Sequence, residues 1–179
     1  HRQLTLRAYR RTPLPPDSGW IAAGFRCLTS AMTSVTYLQQ TDPPRRPRPR
    51  PRDLPTPGVS PAEPDLNSRM YREIGGDWNW VDRLEWSDGT WASYCTDACV
   101  STLRATHQGD LAGFAELRMS PCGADAPLGS DHGVDVEIVY FGLLPRFAGR
   151  GLGGWFLSEV ARIAWKAPGC RRVWLHTCD

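Results

Sequence analysis

The stretch from Val134 to Gly154, VDVEIVYFGLLPRFAGRGLGG, constrains this chain more than any other. Residues 134–144 read as a strand. Pro145 has no N–H to give a ladder and ends the pairing. Glycines then punctuate a short loop. From Gly151 to Ala167 the apolar residues Leu152, Phe156, Val160 and Ile163 recur at helical spacing, so a helix follows. A strand feeding a glycine loop feeding a helix aims several backbone N–H groups at one point, at the positive end of a helix dipole. That arrangement cradles a pyrophosphate. Gly149 and Gly151 let backbone approach such a group with no Cβ in the way. The loop is read neither as a dinucleotide fingerprint nor as a Walker loop, which needs Gly-Lys-Ser/Thr.

The length of 179 residues suits one domain with a core of ordinary size. A net charge of +2 hides an asymmetry. Residues 1–52 hold ten Arg and two Asp, whereas residues 53–179 hold eleven Lys and Arg against seventeen Asp and Glu. The second part is acidic, a poor match for nucleic acid and a mild preference for cationic amines. Twenty of the 21 basic residues are Arg, which suggests a GC-rich gene. On that basis residues 1–31 are expected to be a non-native or disordered extension, with Met32 as the natural start of a domain spanning 32–179. The six cysteines form no C-x-x-C pair and no zinc-ligand spacing, so no metal is expected and the thiols are read as free in a reducing cytoplasm. No apolar run is long enough to span a membrane.

Ser34–Gln40 alternates and reads as a first strand. Residues 42–64 hold the Arg-Pro alternation Arg45–Arg52 and should be extended polyproline II, either a basic solvated connection or a docking strip for an acidic or aromatic-lined partner. Asp65–Ile74 reads as a helix stopped by Gly75-Gly76, and Ser87 caps a second short helix through Tyr94. Trp78, Trp80, Trp86 and Trp91 either line a substrate entrance or pack the two helices on a sheet. Cys99–Thr106 and Leu111–Arg118 form a hairpin about Gln108-Gly-Asp110, Met119–Gly133 is a loop, and Arg171–Thr177 is a final strand.

This order, together with Glu137-Ile-Val-Tyr-Phe, the loop Arg146-x-x-Gly149-x-Gly151 and Val173-Trp-Leu-His-Thr, resembles the GCN5-related N-acetyltransferase superfamily from Met32 to the end, and Val35-Thr-Tyr-Leu, Tyr71-Arg-Glu-Ile-Gly-Gly-Asp-Trp-Asn-Trp80 and the final His-Thr-Cys resemble one bacterial branch of it. The resemblance implies an α/β fold, a mixed central sheet flanked by helices. It implies an acetyl-CoA-dependent N-acetyltransferase acting on a primary amine, small molecule, amino acid or peptide, by direct attack in a ternary complex. It places the pyrophosphate on Arg146, Phe147, Ala148, Gly149, Arg150, Gly151 and Leu152, and pairs the pantetheine arm with the backbone of Phe141 and Leu143. The N–H of Leu143 is then the oxyanion donor.

By a period of two, Asp135, Glu137, Val139, Phe141 and Leu143 share one face. Glu137 therefore stands with the cofactor-facing residues and is the expected catalytic base, ahead of Asp135 and Glu116. His176 is read first as a core histidine. The family continues beyond this last strand with a helix and two more strands, and the helix usually supplies a general acid. The chain stops at Asp179, so the last strand is expected to lack its neighbours and to leave an apolar face and an edge exposed, an arrangement compatible with a homodimer. A non-catalytic acyl-CoA sensor, and an interaction protein working through the Arg-Pro strip, are the alternatives to an enzyme.

Overall fold

The structure is a computed structural model and describes residues 7–9, 35–44, 48, 50–51, 54–121 and 133–178. In chain order the elements are β1 (Arg7–Tyr9), β2 (Val35–Gln40), β3 (Gly58–Pro61), α1 (Pro64–Gly75), α2 (Asp88–Cys95), β4 (Val100–His107), β5 (Asp110–Pro121), β6 (Val134–Leu143), a 3-10 turn (Pro145–Phe147), α3 (Leu152–Ala164) and β7 (Cys170–Cys178). The strands form one sheet in the order β1-β2-β7-β6-β5-β4-β3. Every pairing is antiparallel except β6 with β7, which α3 connects as the crossover that parallel strands require.

Local chemistry explains the boundaries. Pro64 opens α1, where a missing N–H is harmless, and Asp65 lies in its first turn beside the positive dipole end. Ser87 Oγ accepts from Thr90 N–H at 3.2 Å and caps α2. Gln108 and Gly109 both have positive φ, the two-residue turn that suits a hairpin twist.

α1 and α2 cover one face of the sheet. Asn67 and Tyr71 of α1 meet Glu116 of β5 and Tyr140 of β6 there. α3 covers the opposite face, with the rings of Phe156 and Phe141 5.2 Å apart. Leu54, on the Pro/Arg-rich connection, is buried in this core with Leu103, Phe114 and Phe156.

The structure departs from the sequence expectations in four places. β7 is no edge, because β2 pairs along it from Val35–Cys178 to Gln40–Val173. Gly58–Pro61 of the connection forms an edge strand on β4, where Pro61 is tolerated. β5 continues to Pro121, so Met119 begins no loop; residues 122–132 lie outside the described ones. Of the expected extension 1–31, only Arg7–Tyr9 is described, as β1 on β2. Residues 45–47, 49 and 52–53 of the Arg-Pro strip also lie outside the described residues.

The fourth departure matters most. Leu117 pairs with Ile138 and Glu116 with Tyr140, so Val139 is a bulge. The extra residue reverses parity. Glu137 shares a face with Tyr140 and Gly142, under α1, while Phe141 and Leu143 share the α3 face with Ile138. Glu137 is therefore not on the face of Phe141 and Leu143.

Gly142 is where α1 comes closest to the sheet. A Cβ there would lie 2.4 Å from Ile74 Cγ2. Gly142→Ala is expected to lower stability by about 1–3 kcal/mol through overpacking. In urea unfolding, adding Ile74→Ala should return part of that loss, whereas independent sites would simply add.

Candidate active site

β6 and β7 pair only from Val134–Cys170 to Glu137–Trp174, yet both strands run on to Leu143 and Cys178. Beyond Glu137 they diverge. Leu144 N–H donates to Ala112 O on β5 at 2.9 Å. By alternation, Phe141 and Leu143 turn their N–H and C=O groups the other way, into the opening. Among the described residues no strand pairs with this side of β6 beyond Glu137, so the opening lies in the middle of the sheet.

At its far end lies the glycine loop. Gly149 and Gly151 both have φ of 74°, the left-handed region that favours glycine. Gly151 caps α3 without any side-chain hydrogen bond, which leaves the first-turn N–H groups to another acceptor. Two of the expected cradle amides are already used: Phe147 N–H donates to Leu144 O at 2.8 Å and Ala148 N–H to Pro145 O at 3.1 Å. The 3-10 turn consumes them, which leaves of the expected set the amides of Gly149, Arg150, Gly151 and Leu152. Phe147 itself is buried, and Arg146 and Arg150 lie over its ring at 4.9 and 5.6 Å.

A residue that sequence reasoning missed joins this end. Arg48 N–H donates to the buried Ser158 Oγ at 2.9 Å, and its guanidinium lies against Gly154, where a Cβ would stand 3.1 Å from Nη1. Among the described residues it has no carboxylate partner. Gly149, Gly151 and Gly154 also meet the G-x-G-x-x-G spacing. That fingerprint belongs to a parallel sheet, and here only β6 and β7 are parallel.

At the near end, on the α1 face, stand the titratable groups. Glu137 Oε1 lies 3.6 Å from His176 Nδ1, and both side chains are partly exposed. His176 is therefore half-buried beside a carboxylate rather than in the core. Asp135 is held by Arg172, with Nε–H donating to Oδ2 at 3.0 Å. Glu116 is wholly buried: it accepts from Arg83 at 3.0 Å, Tyr94 OH at 2.7 Å and Asn67 at 2.8 Å. Neither of these two carboxylates is free to act as a base.

Burial, the largest single effect, would lower the pKa of Arg83, but Glu116, Tyr94 and Tyr140 together outweigh it and hold the guanidinium above its ordinary value. The guanidinium stacks on Tyr94, Trp86 and Tyr140 at 4.3–4.6 Å. Beside it, Asp82 accepts from Tyr71 OH at 2.8 Å and Tyr140 OH at 2.5 Å. Burial, aided by Asp82, raises both phenols, so they remain donors. Trp80, Trp86 and Trp91 are packing residues of this layer, and Trp78 alone of the four is largely exposed. Cys95 beneath it has its thiol pushed up to about 11, by burial first. Among the described residues no group of His, Cys, Asp and Glu is arranged to hold a metal, and no helix is long and apolar enough to cross a membrane.

A family model, described as the acetyltransferase (GNAT) family, matches residues 65–179. The chain belongs to the GNAT acetyltransferases. Similar solved structures include NAA60 from Arabidopsis thaliana in complex with a bisubstrate analogue, at 17% identity over 67% of this chain and 73% of that one, TM-score 0.47. A GCN5-related N-acetyltransferase from Kribbella flavida is similar at 15% identity over 79% of this chain and 46% of that one, TM-score 0.49. These likenesses concern the fold alone. No curated protein matches the chain.

Arg83 and Glu116 form a buried ion pair, 3.0 Å apart, in this GNAT domain. Arg83→Met should lower stability by about 3–5 kcal/mol, because it strands a buried carboxylate. In chemical denaturation the double variant with Glu116→Gln should lose less than the two single losses combined; strict additivity would mean that the pair is not coupled.

Proposed function

We propose that this GNAT protein transfers an acetyl group from acetyl-CoA to a primary amine by direct attack in a ternary complex. The observation that carries the reading is the opening between β6 and β7, edged by the backbone of Phe141 and Leu143 and ending at the first turn of α3. The pantetheine arm would lie along that edge as an added strand. The pyrophosphate would sit on the N–H groups of Gly149, Arg150, Gly151 and Leu152, where the helix dipole favours an anion. Arg48 would add a charge over the same turn.

The acceptor enters on the α1 face, which is also the face of Glu137. Glu137 takes a proton from the ammonium, directly or through water, and His176 at 3.6 Å orients its carboxylate. The neutral amine then attacks the thioester carbonyl. The C–N bond forms, the C–S bond breaks, and Leu143 N–H stabilises the oxyanion between the two events. The nitrogen gives up its second proton as the C–N bond forms, and the leaving thiolate takes up that proton through solvent. The reversed parity of β6 supports this division: the base faces the acceptor, and the cofactor lies along the strand edge.

Gly151→Val forces a β-branched residue into a left-handed conformation and should weaken acetyl-CoA binding at least about tenfold by calorimetry. Glu137→Gln should keep that binding and lower kcat about 10²–10⁴-fold. Unchanged turnover in Glu137→Gln would remove Glu137 from the reaction, and unchanged affinity in Gly151→Val would remove the loop from the cofactor site.

A further inference from the structure

We propose that Asp82 selects the acceptor: its carboxylate holds a second ammonium of an aliphatic diamine, apart from the amine that is acetylated. This rests on the acetyl-transfer reading above. Asp82 lies on the connector between α1 and α2. It is tied to Tyr140, the first residue after the bulge, on the face of Glu137 and in the segment where β6 has left β7. The carboxylate therefore lies on the side of β6 from which the acceptor is proposed to enter.

Its charge is available. An ionised carboxylate accepts about four hydrogen bonds, and the two tyrosine hydroxyls fill two. The Asp82 side chain is 39% exposed. The nearest cation, Arg83, is 4.0 Å away through Nε, and its terminal nitrogens are committed to Glu116 and Tyr94. The Trp80 ring, 4.7 Å from Tyr140 and 5.7 Å from Tyr71, adds an aromatic wall to the same group. A carboxylate beside aromatic rings is suited to an alkylammonium.

The surroundings agree in charge and polarity. Asp77, Asp82 and Glu85 are exposed along this connector, as is Asp88 at the start of α2, and the connector's single cation, Arg83, is turned inward. Trp78, Val81 and Leu84 are also exposed, three of the five large apolar side chains so found among the described residues. A methylene chain with a positive charge at each end matches both properties. It would place one nitrogen at Asp82 and the other toward Glu137.

The test compares putrescine with butylamine, a dication and a monocation of equal chain length. Thiol release should show kcat/KM at least about tenfold higher for putrescine, as expected for one charge-assisted contact. Asp82→Asn should bring that ratio close to one, and Asp82→Glu should restore part of it. A purely structural role would depress both amines together and leave the ratio unchanged. That result, or the lack of any preference in the unmutated protein, overturns the proposal. Failure of the acetyl-transfer reading appears separately, as no thiol release with any amine. Calorimetry of putrescine against the coenzyme A-saturated protein then decides. Binding lost in Asp82→Asn keeps the site, and equal or absent binding in both proteins removes it.

Discussion

Glu116 is the group around which one side of this protein is assembled. A carboxylate with no exposure is strongly unfavourable unless each oxygen finds donors, and these come from three separate segments. Asn67 brings α1, Tyr94 brings α2, and Arg83 brings the connector between them. Asn67 also accepts from Thr102 of β4 at 2.9 Å, so the neighbouring strand joins the network. An alternative packing that released any one of these elements would leave charge or hydrogen-bonding capacity buried and unmet. The network thereby fixes the register of the helical layer on the sheet more tightly than apolar contacts would. Its effect reaches the acceptor side, because the same connector that gives Arg83 to Glu116 gives Asp82 to Tyr71 and Tyr140.

The second constraint is the bulge at Val139. A strand that kept its period of two would carry Glu137 and Phe141 on one face. The inserted residue sends Glu137 and Tyr140 to the α1 face and leaves Phe141 and Leu143 facing α3. It also coincides with the end of pairing to β7, since bulging bends a strand and raises its twist. One irregularity thus accounts for the opening and for the assignment of side chains across it. In the proposed reaction the acceptor and the base share one side, and the thioester lies along the strand edge.

Much of this was legible in the sequence, and the failures have physical causes. The glycine loop, the Ser87 cap and the Gly75-Gly76 stop are local, so they appear where their residues stand. The bulge is a tertiary effect: nothing in VDVEIVYFGL marks Val139 as the inserted residue. The loss of the Phe147 and Ala148 amides follows from a 3-10 turn that Pro145 permits but does not demand. Glu116 alternates in β5 as an ordinary polar residue would, and only the distant Asn67, Arg83 and Tyr94 show that its face is buried. The place of β2 beside β7 was equally hidden, since a strand with a polar and an apolar face states its pairing potential and not its partner.

The Arg-Pro connection shows how a segment with no regular structure can still be structural. β2 lies toward one end of the sheet and β3 at the other edge, so the connection between them crosses the sheet. Prolines suit that crossing: they hold the chain extended and lack the N–H groups that would otherwise need partners over a packed surface. Two anchors fix it, the Arg48 amide on Ser158 and the buried Leu54 side chain. Among the described arginines of the strip, Arg50 is exposed to solvent. Arg48 is the exception in placement, since it lies at the positive end of α3, where a second positive charge is favourable only in the presence of an anion. The segment that completes the core therefore also adds charge to the end of the opening where the cofactor phosphates are proposed to bind.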